Sequence, residues 1–337
     1  MASTATDIRD RLRGVAVGLL TPFDDELAIA HESLRENAEI LYERGMRTFL
    51  AAANISEYHS LSRDERVSLV ETSVDALPSD ACVLAGVGGS IGDARELIQA
   101  YDAIGDHESG ANEDSADETT PDEFGIDRSG VDALMIMPPD HTYVHEAGLL
   151  QYYRELAAVT DTPLVPYVRG FDPSVDFLAA LTRIEGVVGI KYALEDPVKL
   201  GAAVEGGADD VVWVDGAAEP YAVSFWAEGA EGFSAGVSNF RPAVGLELFD
   251  ALSSGDWERA RALRNCCLPF QRFRGETGTD NAIPGAVSVP AVKSGLELAG
   301  LHGGRVRPPL VELSPEDERR VEALYLQLED DIDRIIE

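Results

Sequence analysis

PLVPYVRGFDPSVDFLAALTRIEGVVGIKY, residues 163–192, carries the pattern that decides the fold. It opens on an apolar run (163–168, PLVPYV), passes through an amphipathic stretch (174–184, SVDFLAALTRI), and closes on a second apolar run (187–192, VVGIKY). Apolar residues recur at three- and four-residue intervals in the middle and continuously at both ends, so the segment reads as strand, helix, strand. Two buried strands joined by a crossover helix form a parallel unit.

The same rhythm extends in both directions. Further apolar runs occur at 14–20 (GVAVGLL), 48–53 (TFLAAA), 82–87 (CVLAGV), 133–137 (ALMIM), 211–215 (VVWVD) and 232–235 (GFSA). Amphipathic helical patterns lie at 32–44, 64–77, 91–104, 148–159 and 243–253. Eight buried strands alternating with helices predict a closed parallel (β/α)8 TIM barrel, a fold that fills such a length as one unit. The barrel is expected over residues 1–255. Residues 256–337 hold further helical patterns and are expected to form a C-terminal helical layer packed on it, the last helix opened by Ser314 with Asp317 as an approximate capping box. Residues 106–127 interrupt the rhythm with nine acids, no Lys or Arg and hardly an apolar side chain, and read as an acidic surface insertion that cannot bury enough to fold alone.

Sixty-one acids against 27 Lys plus Arg give a formal charge of −34, which repels phosphate backbones and anionic headgroups alike. Nucleic-acid and membrane partners are therefore not expected. Lysine occurs only at Lys191, Lys199 and Lys293, every other cation of the 27 being Arg. An acidic, lysine-poor surface fits a salt-saturated cytoplasm, where screening removes the self-repulsion of the acids. Three cysteines without zinc spacing, no signal-like start and no long apolar run point to a cytoplasmic enzyme in a reducing compartment.

In a barrel of this type the residues closing each strand face the site. Lys191 closes GVVGIK, where a desolvated amine can attack a carbonyl; the structural alternative is a lysine that snorkels out or pairs with Glu195. The chain uses Arg for its other cations, and guanidinium cannot form an imine, so a retained lysine here favours chemistry. Tyr167 closes the preceding run and would stand beside it, where an ammonium stabilises the phenolate and the phenol can move protons. His141 and His145 have metal-ligand spacing but no third ligand, so no metal is expected. Gly86, Gly88, Gly89 and Gly92 read as a tight turn at the barrel mouth.

LLTPF (19–23), ISEYHSLSRDER (55–66), PLVPYVR (163–169), GIK (189–191), FSAGVSNFRP (233–242) and GGRVRPPLVELSPEDE (303–318) together resemble the landmarks of the dihydrodipicolinate synthase and N-acetylneuraminate lyase superfamily of class I aldolases. The resemblance implies a barrel, usually a homotetramer, in which Lys191 forms a Schiff base with a 2-oxo acid and Tyr167 is the acid/base. It implies no organic cofactor. Where members commonly carry Gly-Thr-Thr-Gly-Glu, this chain has Ala53, Asn54, Ile55, Ser56 and Glu57, keeping only the glutamate. The synthases' tyrosine pair aligns with Asp140 and His141. These departures, with YVR at 167–169 and SAGVSNFRP at 234–242, point to the branch that cleaves or dehydrates 2-keto-3-deoxy sugar acids.

The expected substrate ligands are the amides around Asn54 and Ile55 for the near carboxylate, Arg169 for a distal carboxylate or phosphate, and further Glu57, Ser234 and Asn239. Asn239 and Arg241 read equally as loop-stabilising residues. The alternatives are a dihydrodipicolinate synthase, and a non-catalytic barrel that binds an oxo acid.

Overall fold

The computed structural model describes residues 5–105, 130–139 and 143–336. The acidic insertion at 106–127 and the Asp140–His141 pair lie outside the described residues. Eight strands, β1 (Val15–Gly18), β2 (Thr48–Ala51), β3 (Cys82–Val87), β4 (Ala133–Ile136), β5 (Leu164–Val168), β6 (Gly189–Tyr192), β7 (Val212–Asp215) and β8 (Gly232–Ser234), pair in parallel in sequence order. β8 returns to β1, with Val15 opposite Phe233, and closes the barrel. The predicted (β/α)8 barrel is the observed one.

Strand side chains alternate between two apolar compartments, which is why each strand reads as a continuous run rather than an alternating one. Leu50, Leu84, Met135, Val165, Val212 and Val214 fill the interior. Phe49, Val83, Leu134, Ile190, Trp213 and Phe233 face outward beneath the helices.

The outer ring is α2 (His31–Glu43), α3 (Arg63–Asp75), α4 (Ile91–Asp102), α5 (Glu146–Ala157), α6 (Val175–Leu181), α7 (Pro197–Gly206), α8 (Glu219–Ala227) and α9 (Pro242–Ser254). They follow α1 (Ala5–Leu12), which precedes the first strand. Helix starts are written in side-chain oxygens that accept the otherwise unpaired N–H groups of the first turn. Ser62 accepts from Glu65 N–H, Ser90 from Asp93 N–H, and Ser174 from Phe177 N–H. Asp196 caps α7 ahead of Pro197.

Sequence reasoning had not assigned α1, α7 or α8. α8 (EPYAVSFWA) is apolar on nearly every side, so it lacks the 3.6-residue signal, and α7 is short and rich in Ala and Gly. α1 sends Ile8 and Leu12 into the interior cluster, closing the end of the barrel away from the strand C-termini.

Beyond α9, α10 (Trp257–Arg274) packs against α8 and α9, and α12 (Pro315–Ile336) packs against α10 and α11 (Ser288–Leu298). Ser314 caps α12 as expected, its Oγ accepting from Asp317 N–H at 3.1 Å, while the Asp317 carboxylate also accepts from Thr279 N–H at 3.0 Å. No helix among the described residues is long and apolar enough to cross a membrane.

Candidate active site

β5 and β6 place Tyr167 directly opposite Lys191 in the sheet register. Both side chains are buried, and the Lys191 Nζ sits 3.7 Å from the Tyr167 ring centroid. Arg169, two residues on and therefore on the same face of the chain, donates from Nη1 to the Tyr167 hydroxyl at 3.3 Å. Burial alone pushes the Tyr167 phenol up, but the adjacent Lys191 ammonium and Arg169 guanidinium outweigh it, and the phenol ends below its ordinary value.

Among the described residues, Lys191 has no carboxylate within ion-pair distance. Glu195, the alternative partner considered from sequence, forms no ion pair with it; burial and the Glu195 charge instead push the Tyr221 phenol up to about 12. Asp215 closes the neighbouring strand and is buried, with Oδ1 accepting from Ala217 N–H at 2.7 Å and Oδ2 without a hydrogen-bond partner among the described residues. Desolvation carries this carboxyl well above the usual carboxylate range, with Glu219 adding to the rise against the opposing pull of Ala217 N–H and Lys191. Asp215 forms no ion pair with the Lys191 amine among the described residues. The arrangement can therefore expose an amine to an electrophile with a phenol beside it to carry protons.

The turn after β2 is the second part of the site. Ala52 (φ 48°) and Glu57 (φ 58°) both take the left-handed conformation, bracketing a 3-10 turn at Asn54–Ser56. Such conformations cost roughly 1 kcal/mol or more at non-glycine residues and persist only where the surroundings hold them. Here Ser56 Oγ accepts from Ala53 N–H at 3.2 Å, and Thr21 Oγ1 donates to the Ser56 carbonyl at 2.7 Å. The N–H groups of Asn54 and Ile55, first in the 3-10 turn, have no acceptor among the described residues.

Glu57, expected at the substrate, is committed elsewhere. It is fully buried, with Lys293 Nζ at 2.6 Å from Oε1 and the Arg307 N–H donating to Oε2 at 3.0 Å. Lys293 also donates to the Arg305 carbonyl, and the Arg307 guanidinium forks onto Glu65 at 2.7 and 3.0 Å. Glu57 thus ties the turn to the C-terminal segment through opposite charge and hydrogen bonds.

Asn239 is also engaged within the protein. Its Oδ1 accepts from Gly18 N–H at 2.8 Å and its Nδ2 donates to the carbonyls of Gly236 and Ala235, so it stitches the loop after β8 to β1. Arg241 pairs with Glu329 of α12 at 2.8 Å. Ser234 ends β8, buried, with its hydroxyl unbonded among the described residues. His145 caps α5 by accepting from Ala147 N–H at 3.1 Å, and Gly89 (φ 100°) turns the chain from β3 into α4. Among the described residues no cluster of three His, Cys, Asp or Glu side chains could hold a metal ion.

Sequence reasoning missed Asp215, Glu219 and the Lys293 pairing. Asp215 could have been found as the closing residue of VVWVD, by the rule that singled out Lys191. Glu219 is a fully buried carboxylate that accepts from Gly236 N–H (2.9 Å), Ser238 N–H (2.9 Å), Ser238 Oγ (2.7 Å) and the Gln271 amide. Nothing local marks it, because its partners come from the loop after β8 and from α10.

The sequence of the dihydrodipicolinate synthetase family matches residues 11–109 and 116–328. The chain belongs to that family. It is 27% identical over 324 residues to the 4-hydroxy-tetrahydrodipicolinate synthase of Natronomonas pharaonis, covering 95% of this chain and 99% of that protein. It is 26% identical over 329 residues to a probable 5-dehydro-4-deoxyglucarate dehydratase of Bacillus subtilis, covering 95% and 96%. The crystal structure of dihydrodipicolinate synthase from Oceanobacillus iheyensis superposes with a TM-score of 0.83 at 26% identity, covering 97% of this chain and all of that one. The chain is accordingly a lyase of the Schiff-base aldolase type that a dihydrodipicolinate synthetase family member represents, and synthases and dehydratases stand at similar distances from it.

Proposed function

We propose that this enzyme acts on a 2-keto-3-deoxy sugar acid, with Lys191 as the imine-forming residue and Tyr167 as the acid/base. The observation that carries the reading is the contact of Lys191 and Arg169 with the one phenol, Lys191 at its ring and Arg169 at its hydroxyl. The Lys191 amine attacks the C2 ketone; the carbinolamine takes a proton as it collapses, and water leaves. The protonated imine then accepts the electron pair released at C3. That pair comes from the C3–C4 bond in aldol cleavage, giving pyruvate after hydrolysis together with an aldehyde. In dehydration it comes from the C3–H bond, and the enamine expels the C4 hydroxyl as water. Tyr167 moves the accompanying proton, its phenolate supported by two cations.

On this reading the N–H groups of Asn54 and Ile55, which have no acceptor among the described residues, take the near carboxylate. Glu57 and Asn239 act as positioning residues rather than ligands, since their polar atoms are occupied. Ser234 is kept as a ligand for a substrate hydroxyl. The synthase alternative is disfavoured by the absence of the threonine pair after β2, although relatives bear that name. The same reading takes the enzyme to be a cytoplasmic homotetramer adapted to high salt, which the count of only three cysteines and the charge of −34 support. It treats residues 256–337 as an extension of a 1–255 barrel.

Product analysis by NMR tests the reading. In concentrated KCl with a panel of keto-deoxy sugar acids, pyruvate release or water loss is expected. Turnover only of pyruvate with aspartate semialdehyde would establish the synthase alternative instead.

A further inference from the structure

β6 and β8 each carry a glycine two residues before a proposed site residue: Gly189 before Lys191, and Gly232 before Ser234. Residues two apart on a strand share a face and stand about 7 Å apart along it. Lys191 lies opposite Tyr167 in the register, and Tyr167 belongs to the interior cluster. Gly189 therefore faces the barrel interior one layer beneath the lysine, away from the strand C-termini. Phe233 points outward under the helices, so Gly232 lies on the face of Ser234, again one layer beneath.

A glycine inside a strand weakens it and marks a place where other atoms come close. At both positions those atoms belong to the end of α1. A Cβ built on Gly189 would lie 2.6 Å from Leu12 Cδ1, and one on Gly232 would collide with the Leu12 carbonyl oxygen and lie 2.8 Å from that of Gly14. Gly232 thus admits the backbone at Leu12, and Gly189 accepts its side chain. Leu12 is buried in the same apolar cluster as Val165, Tyr167, Val212 and Val214. The helix end is pinned by three contacts: Arg9 pairs with Asp210 at 3.0 Å, Arg13 pairs with Glu231 at 2.7 Å, and Thr48 Oγ1 donates to the Arg11 carbonyl at 3.0 Å.

Above this layer packing, rather than an ion pair, holds the Lys191 side chain. Its Nζ lies over the Tyr167 ring, and Gly216 stands at its flank, where an added Cβ would be 3.1 Å from Lys191 Cγ. We infer that Leu12 is a positioning residue for Lys191: it fills the layer beneath the lysine stem and keeps the amine in place over Tyr167. The inference rests on the function proposed above. Without the Leu12 side chain the stem can settle into the vacated space, and a misplacement of about 1 Å at a reacting group costs up to about 10²-fold in rate. Substrate binding should be spared, because the turn at Asn54–Ser56 is held by Thr21, Glu57 and the C-terminal segment instead.

The test follows borohydride trapping of Lys191 with pyruvate in the wild type, Leu12→Ala, Leu12→Met and Ile8→Ala. Ile8 is the control: it is fully buried in the same helix and the same cluster, but Leu12 is what occupies the space at the two glycines. Leu12→Ala should slow trapping at saturating pyruvate about tenfold, with the half-saturating concentration held within about twofold. Leu12→Met, which keeps the volume, should restore most of the rate. Ile8→Ala should lose comparable stability in denaturant yet trap within about twofold of the wild-type rate. If Ile8→Ala slowed trapping as much as Leu12→Ala, Leu12 would be merely structural and the inference overturned. Wild-type trapping by Leu12→Ala, or a change confined to the half-saturating concentration, would overturn it as well. Should Leu12→Ala not fold, Leu12→Val against Ile8→Val decides, with about threefold slowing expected in the first alone and equal rates overturning the inference. Failure to trap any imine at Lys191 in the wild type would overturn the proposed function itself, whereas trapping at Lys191 that is indifferent to Leu12 would overturn only the role of Leu12.

Discussion

Lys191 and Lys293 are buried to nearly the same degree, 8% and 3% exposed, in a chain that otherwise uses arginine almost throughout. Their surroundings differ in kind. Lys293 faces Glu57 at 2.6 Å, donates to the Arg305 carbonyl and lies over the Phe23 ring. Lys191 has an aromatic face and the buried Asp215 carboxyl nearby but no ion-pair partner among the described residues. Burial therefore does not separate the structural Lys293 from the lysine proposed to form the imine. The partner does: an ammonium held by a carboxylate and a carbonyl is fixed as a charge, whereas one over a phenol ring can yield its proton to chemistry.

Three experiments probe that contrast, in falling order of effect on turnover. Lys191→Ala should lower turnover by on the order of 10⁴-fold or more, as removal of a covalent nucleophile does. In the wild type, pyruvate and borohydride should add mass to the peptide containing Lys191. Mass on the Lys293 or Lys199 peptide would reverse the assignment of roles.

Tyr167→Phe should cost about 10²–10⁴-fold, the usual range for a lost acid/base group. The phenol's ionisation lies below the ordinary value near 10, so kcat/KM of the wild type should bend on the alkaline side below that pH. The bend should vanish in Tyr167→Phe. In Arg169→Gln it should move to higher pH, because a cation that favours the phenolate has gone; an unmoved bend would detach Arg169 from Tyr167.

Lys293→Met should spare imine formation while removing stability. Leaving Glu57 buried without its partner should cost about 3–5 kcal/mol in denaturant unfolding, and the double variant Lys293→Met with Glu57→Met should recover much of it. KM for pyruvate should rise in both, since Glu57 fixes the turn at Asn54–Ser56. If Lys293→Met abolished imine trapping in folded protein, the division between the two lysines would fail.

The barrel was legible because it rests on local patterns: apolar runs bounded by capping residues such as Ser62, Ser90 and Ser174. Tyr167 and Lys191 were legible because a strand-end rule needs only the strand boundaries, and the sheet register then made them neighbours. Glu57 and Asn239 were read as ligands because a motif position says where a residue stands, not what meets it. Their partners, Lys293 and Gly18, are 236 or 221 positions away, and no local signal predicts such meetings. Asp215 was within reach of the same rule that found Lys191, but a single acid among sixty-one carries little weight until its burial is known.

The seam between β1 and β8 sets the order in which the molecule can be made. Arg13 and Glu231 meet there at 2.7 Å although they are 218 positions apart, and the Phe233 N–H donates to the Gly14 carbonyl at 3.0 Å. Every other strand pair forms between sequence neighbours, so on a ribosome the sheet can grow one unit at a time, but its first strand must wait with one edge open until the eighth emerges. Joining distant ends costs loop entropy that only the finished ring repays, which makes closure a late event in folding. An open strand edge invites pairing with another chain, and a nascent protein this strongly charged resists such encounters by mutual repulsion.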